Sequence, residues 1–323
     1  MSKQNLHILT PGPNQSVEGL RYSRLASVRL RLRPAAMAAY ELGYNVTVGD
    51  EPPSSADCIL VGKVMAQYSE KWLSQLAIAK EKGTLVIVDY TDHHIAGGTH
   101  LAAFYIQALQ LSSKIIVPSD HLRDSLLMVD GITSPIFTIE DPLEVQISRP
   151  KRAPRLNEDY AAFWFGHGSN LEPLLRFIAQ WPQSAPNKLN IVSSPEVQVA
   201  LGEIPISCPT LLDIDFYEWN LHRVEEIARV STMCIIPSTL DSHKLFASSN
   251  RLVTSLALGL PTVATIIPSY EEFREFCVPI DSPDVNLIFK FPEELNQRIE
   301  KFQNSFSTRF HIDTIISNWK SVV

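Results

Sequence analysis

The densest concentration of residues able to do chemistry is the segment Lys244 to Thr265, KLFASSNRLVTSLALGLPTVAT. Ser248, Ser249 and Asn250 are types that begin helices, and an apolar periodic run follows them. A helix starting there presents free backbone N–H groups and the positive end of its dipole. Lys244 and Arg251 stand beside it, a combination suited to phosphate or diphosphate. Gly259 ends the helix, Pro261 blocks its continuation, and TVAT starts a strand. A well-capped helix without a ligand is the plain alternative. A second turn, Gly166-His167-Gly168, lies between a strand-like and a helix-like stretch, where glycines let backbone approach a phosphate closely. An ordinary tight connection would read the same.

Asp89-Tyr90-Thr91-Asp92-His93-His94 follows a strongly apolar strand and places two carboxylates and two imidazoles at its end. Asp92, His93 and His94 are candidates for a general base or a substrate contact, against the plainer reading of a polar turn capping a helix. Adjacent histidines point to different sides of an extended chain, which argues against a metal site. Arg21, Arg24, Arg29, Arg31 and Arg33 fall in thirteen residues without an acid. Such a patch suits an anionic acceptor, a diphosphate or a phospholipid surface; a solvated face is the plain reading. With the Pro11–Gly19 loop it nominates Gly12, Asn14, Arg29 and Arg31 as acceptor-side residues. Val28, Leu30 and Leu32 alternate with arginines in a strand-like period of two, whereas Pro34 suits a first helical turn, so the helix is expected from Arg33. Trp219 could stack on a base or simply pack the core.

The elements that must position these groups alternate. Strands are expected at Leu6–Leu9, Asn45–Val48, Ala56–Val61, Thr84–Val88 and Lys114–Pro118, with helices at Pro34–Leu42, Glu70–Lys82, Leu101–Leu111 and His121–Met128. After a proline-rich basic stretch the rhythm resumes. Strands follow at Tyr160–Phe165, Lys188–Val192, Met233–Ile236 and Thr262–Thr265, and helices at Asn170–Gln180, Trp219–Ala228 and Asn250–Ala257. An amphipathic tail runs over Pro292–Lys320. Strands separated by helices imply βαβ units and parallel sheets. The fold class is α/β: two Rossmann-like domains with parallel sheets facing a cleft, and a C-terminal helix crossing back. Residues 1–143 form the first domain, 144–158 a linker, 159–300 the second, and 301–323 the returning helix.

Length and composition agree. The 323 residues suit two domains of about 150 each. A net charge of −7 opposes a dedicated nucleic-acid binder. The opening MSKQNLHILTPGPNQ has no apolar signal-peptide core, and apolar runs stay far below the roughly 18 residues of a membrane span. Four dispersed cysteines form no metal or disulfide pattern. A cytoplasmic protein is expected, with peripheral membrane contact compatible with the arginine patch. Its oligomeric state is not legible.

NRLVTSLALGLPTVAT resembles the donor-site helix and strand of GT-B glycosyltransferases of the family 1/family 4 type, where LEAMALGxPVVAT is typical. FWFGHGSNLEPLL is similar to that family's first strand and glycine turn in its nucleotide-sugar domain, and CIIPSTLDSHK to the strand before its donor loop. SVRLRLRPAAMAAYELGYNVTV, VDYTDHH and KIIVPSDHLRDSL resemble its first-domain segments in the same order. The resemblance implies a metal-independent transferase with no cofactor, taking a UDP- or GDP-linked sugar to a hydroxyl on a glycan, a lipid-linked sugar or a protein. It places the donor at Gly166, His167, Gly168, Lys244, Ser248, Ser249, Asn250, Arg251 and Thr254. The family's Glu-x7-Glu pair is absent: Phe246 and Thr254 stand at those positions. A non-catalytic nucleotide-sugar or glycan-binding partner subunit is therefore the alternative expectation.

Overall fold

A computed structural model describes residues 3–12, 16–150, 160–181, 185–203, 212–241 and 244–323. The chain divides into two units. Unit 1 comprises Met1–Pro142, Asp241–Ser248 and Arg309–Val323, and unit 2 comprises Leu143–Leu240 and Ser249–Thr308.

Unit 1 runs β1 (Asn5–Leu9), α1 (Arg33–Glu41), β2 (Asn45–Gly49), β3 (Cys58–Val61), α2 (Ser69–Glu81), β4 (Leu85–Asp89), α3 (Ala102–Leu111), β5 (Lys114–Val117), α4 (Asp120–Leu126) and β6 (Ile136–Thr138). All neighbours pair in parallel in the order β2-β1-β3-β4-β5-β6. Strands such as CILV are buried along their whole length because helices cover both faces of a parallel sheet. The order reverses between β1 and β3, the position at which open sheets leave a crevice for ligands. Gly62 lies there, directly after β3. A Cβ at this residue would fall 2.7 Å from Leu32 Cδ1, so only glycine fits without displacing that side chain.

The alternating arginine stretch is helical, not extended. Val28–Leu32 forms a π-helical turn that runs straight into α1 at Arg33, with Pro34 in the first turn. The wide turn buries all five of its residues, arginines included. The C-terminal helix, Ile312–Lys320, belongs to this unit. Its Ile315, Ile316 and Trp319 join Leu6, Val28, Leu32 and the alanines of α1 in one core.

Unit 2 contains β7 (Ala161–Phe165), α5 (Leu171–Ile178), β8 (Lys188–Ser193), α6 (Pro195–Glu203), β9 (Asp213–Glu218), α7 (Leu221–Val230), β10 (Met233–Ile236), α8 (Asn250–Ala257), β11 (Thr262–Ala264), β12 (Val278–Pro279), α9 (Val285–Lys290) and α10 (Asn296–Phe306). Its parallel order is β12-β11-β10-β7-β8-β9, the doubly wound arrangement that reverses between β7 and β10.

Three boundaries depart from the sequence expectation. Residues expected to begin a linker at 144 belong to unit 2, where Ser148 N–H donates to Ala257 O at 2.8 Å. Residues 151–158 of that linker lie outside the described residues. The tail expected to be helical is broken between α10, which ends at Phe306, and the last helix, which starts at Ile312, and only the portion from Arg309 belongs to unit 1. Asp241–Ser248, expected within the second domain, also belongs to unit 1.

Candidate functional site

In unit 2 the strongest arrangement gathers at the β7–β10 reversal. Gly166 follows β7, and its N–H donates to Val192 O at 3.3 Å while its own carbonyl accepts from Ser193 Oγ at 2.6 Å. The turn is therefore fixed from the neighbouring strand. His167 is exposed, and its Nδ1 accepts the Ser169 N–H at 3.2 Å, closing a short turn before α5.

α8 begins at Asn250 as expected, but Ser249, at the cap position, makes no side-chain capping hydrogen bond. Its first turn is not closed by its own sequence. Arg251 lies in that turn with its guanidinium 5.4 Å from the Trp164 ring and 5.7 Å from the Phe165 ring. A Cβ at Gly166 would stand 3.3 Å from Arg251 Cζ, so the glycine makes room for the guanidinium. Part of Arg251 remains open, yet Nε and Nη2 are shut away from solvent with no hydrogen-bond partner among the described residues. Burial lowers its pKa from the ordinary arginine value; the Tyr270 hydroxyl and Cys234 thiol nearby offset this only in part. Two buried cationic donors without an acceptor are costly in a folded protein unless an anion completes them.

The far end of α8 is tightly finished. Gly259 has φ +72° and lies under Ser148 and Arg149, while Gln303 Nε2 donates to Leu256 O and Ser148 O at 2.9 Å each. Thr254 is buried within the helix.

Unit 1 holds the remaining candidates. His93 is a buried, fully engaged side chain. Its Nδ1 accepts from Ala96 N–H at 3.3 Å and meets Tyr90 OH at 3.1 Å, and its Nε2 meets Ser125 Oγ at 2.7 Å. With Nδ1 accepting, the network assigns the ring proton to Nε2. His94 stacks on Tyr105 at 4.7 Å and bonds Thr99 Oγ1 through Nδ1 at 2.9 Å. Asp92 is more open and pairs with Lys63 Nζ at 2.8 Å. The two histidines thus hold the turn, and the half-buried Asp92 carboxylate is held by Lys63.

Arg31, expected as an acceptor-side residue, is closed inside the unit. Its Nη2 reaches Asp89 Oδ1 at 2.8 Å with both side chains 1% exposed. Nη1 donates to Ile139 O and reaches Asp141 Oδ1 at 3.4 Å, and the guanidinium lies 5.4 Å from the Trp319 ring. Burial works against this cation, but Asp89 and Asp141 outweigh it and raise its pKa. Arg29 is buried as well and donates to Ser23 O at 2.7 Å. The expectation for both side chains is corrected here: Arg31 ties the helix entry to the sheet, and Arg29 holds the loop at Ser23 that precedes it. The sequence concealed this because Asp89 and Asp141 are distant along the chain. Gly12 has φ +107°, a conformation that favours glycine; Asn14 lies outside the described residues.

The donor candidates divide between the units. Lys244 and Ser248 fall in unit 1, where Ser248 Oγ donates to Asp141 Oδ2 at 2.7 Å and Phe246 packs against His93 at 4.5 Å and His121 at 4.8 Å. Gly166–Gly168, Ser249, Asn250, Arg251 and Thr254 fall in unit 2. Sequence reasoning missed the Ser193 support of Gly166 and the role of Phe246. Among the described residues there is no cluster of potential metal ligands, and no helix is long and apolar enough to cross a membrane.

Two units, each with a six-stranded parallel sheet and helices, give the chain a GT-B-like fold. Three solved structures share it at low identity. Sucrose-phosphate synthase from Thermosynechococcus elongatus matches with TM-score 0.53 and 11% identity over 99% of this chain and 95% of its own. AviGT4, a glycosyltransferase involved in avilamycin A biosynthesis, matches at 0.53 and 12% over 98% and 96%. The pneumococcal O-GlcNAc transferase GtfA, solved with UDP and GlcNAc, matches at 0.54 and 12% over 82% of this chain and 56% of its own. The chain thus spans little more than half the length of that enzyme. No family model and no curated protein matches the sequence.

Proposed function

We propose that this protein is a metal-independent glycosyltransferase that binds a UDP- or GDP-linked sugar in unit 2 and transfers the sugar to a hydroxyl. The observation that carries the reading is Arg251: a guanidinium with two buried, partnerless donors, in the uncapped first turn of α8 and against the Gly166 turn. A diphosphate supplies the missing acceptors. Charge develops on its departing oxygen as the bond to the sugar breaks, and a fixed guanidinium, backbone N–H groups and a helix terminus stabilise that charge without reorganising. Gly166 makes room for the Arg251 guanidinium that would face the phosphates, with Ser249 and Asn250 alongside. Trp219, half-buried at the end of β9, offers a ring to a base. On the acceptor side the half-buried Asp92, paired with Lys63, is the carboxylate proposed to meet the acceptor hydroxyl. The acceptor is a glycan, a lipid-linked sugar or a protein.

A second reading has its own observation. Phe246 and Thr254 stand where the resembling family carries two carboxylates, and Phe246 is packed between two histidines. A binding subunit that holds a nucleotide sugar without turnover accommodates both facts.

Thermal shift with a panel of nucleoside diphosphates and nucleotide sugars tests the shared premise. A ligand at 100 times its Kd adds about 2.7 kcal/mol of stability. A shift with one nucleotide class, unchanged by chelator, supports the site; no shift across the panel removes it. Binding with no sugar released or transferred selects the second reading.

A further inference from the structure

The five arginines between residues 21 and 33 separate into two kinds. Arg29 and Arg31 are internal, whereas Arg21 and Arg24 are exposed and Arg33 is half-buried. Arg21 and Arg33 line an open groove of about 440 Å³ with Val17, Glu18, Met37 and Tyr40. Neither makes an ion pair among the described residues. Apolar bulk is exposed at and beside the groove: Tyr40, which lines it, is 52% exposed, Tyr22, its ring 6.0 Å from the Arg21 guanidinium, is 75% exposed, and Leu25, four residues after Arg21, is 39% exposed. Its carboxylates are few. Glu18 lines the groove, Glu41 is taken by Lys320, and no acid lies between Glu18 and Glu41 in the sequence. A cationic excess here opposes the net charge of −7 on the chain.

We propose that this face of unit 1 docks onto a bilayer surface containing acidic phospholipid. Guanidiniums at the headgroup level meet lipid phosphates and carboxylates, while Tyr22, Leu25 and Tyr40 enter the boundary beneath, where rings with a polar tip are favoured. A small soluble anion is a poorer occupant. It would sit in an unwalled groove and leave the exposed tyrosines and leucine in water. The proposal rests on these surface residues alone and stands or falls apart from the transferase reading.

Co-sedimentation of the full chain with vesicles tests it. The two compositions are phosphatidylcholine alone and phosphatidylcholine with roughly 30% phosphatidylserine, each at about 0.1 M and about 0.5 M salt. The expected result is binding to acidic vesicles at low salt only. R21Q and R33Q each reduce the partition coefficient about fivefold and Y22S reduces it further, all with unchanged melting temperature. L25S serves as a second probe of the apolar half should any of these melt early. Equal binding to neutral vesicles, no binding to acidic ones, or R21Q/R33Q binding like the parent overturns the proposal. So does stabilisation by inorganic phosphate without lipid that the double variant abolishes, which would assign the groove to a soluble anion.

Discussion

Arg31 Nη2 and Asp89 Oδ1 meet at 2.8 Å inside unit 1, joining the π-helical entry of α1 to the carboxyl end of β4. Asp141 accepts from the same guanidinium and from Ser248, so the pair also fixes a segment from much later in the chain. Removing one member of a buried ion pair strands the other. Arg31→Met is expected to cost about 3–5 kcal/mol in urea unfolding. A loss below about 1 kcal/mol would mean that water relieves the isolated Asp89 carboxylate.

Arg251 is expected to behave in the opposite way. Its Nε and Nη2 make no hydrogen bond among the described residues, so Arg251→Ala should leave the melting temperature unchanged or higher. The same change should weaken UDP or GDP binding by about 1–3 kcal/mol, as read by calorimetry. Unaltered affinity in the folded variant would dispose of the diphosphate site.

Two glycines give a paired comparison. At Gly259 the backbone is left-handed, φ +72°, and a Cβ would lie 2.4 Å from Arg149 O. Gly259→Ala should cost at least about 2 kcal/mol, because strain and a backbone clash add. Gly202, in α6, has nothing within 4 Å of an added Cβ, so Gly202→Ala should gain about 0.5 kcal/mol. Thermal unfolding reads both. Equal effects would mean that the Arg149 segment yields freely.

His7 sets an acid limit on stability. Buried in β1, it bonds Thr47 Oγ1 at 2.9 Å and Gly49 O at 3.3 Å, and burial lowers its pKa below the ordinary 6.5. Below 6.5 the unfolded chain binds a proton that the folded chain refuses. Its neutral-state stability is thus complete above that pH and declines as pH falls towards the lower folded value. The slope is at most about 1.4 kcal/mol per pH unit. His7→Gln should flatten the fall in urea midpoint between about pH 7 and about pH 5.5. An identical slope in the variant would assign the acid sensitivity to other groups.

Much of the fold was legible because parallel sheets write themselves as short apolar runs separated by helices. β1, α1, β10 and α8 lie within a residue of their expected bounds. What stayed hidden was of two kinds. β9, DIDFYE, is an edge strand with every residue at least partly exposed, so it carries no apolar run. β6 is three half-buried residues. The site was half legible. The Gly166 turn and the start of α8 are local patterns, and Arg251 stood out beside them. The contrast between Arg251 and Arg31 was not accessible, because it depends on Asp89 and Asp141, which only the folded sheet brings to Arg31.

The segment 241–248 and the residues from 309 onward have a consequence for dissecting the protein. The polypeptide changes unit at 142/143, 240/241, 248/249 and 308/309. No contiguous fragment therefore contains unit 1 without also carrying unit 2. A chain cut after Pro142 would keep the whole six-stranded sheet yet lack Trp319 over Arg31 and Phe246 against His93. Half-length expression is thus expected to yield a sheet with an open flank. The two halves should regain native behaviour only when one continuous chain, or a co-expressed pair with the tail restored, supplies all three pieces.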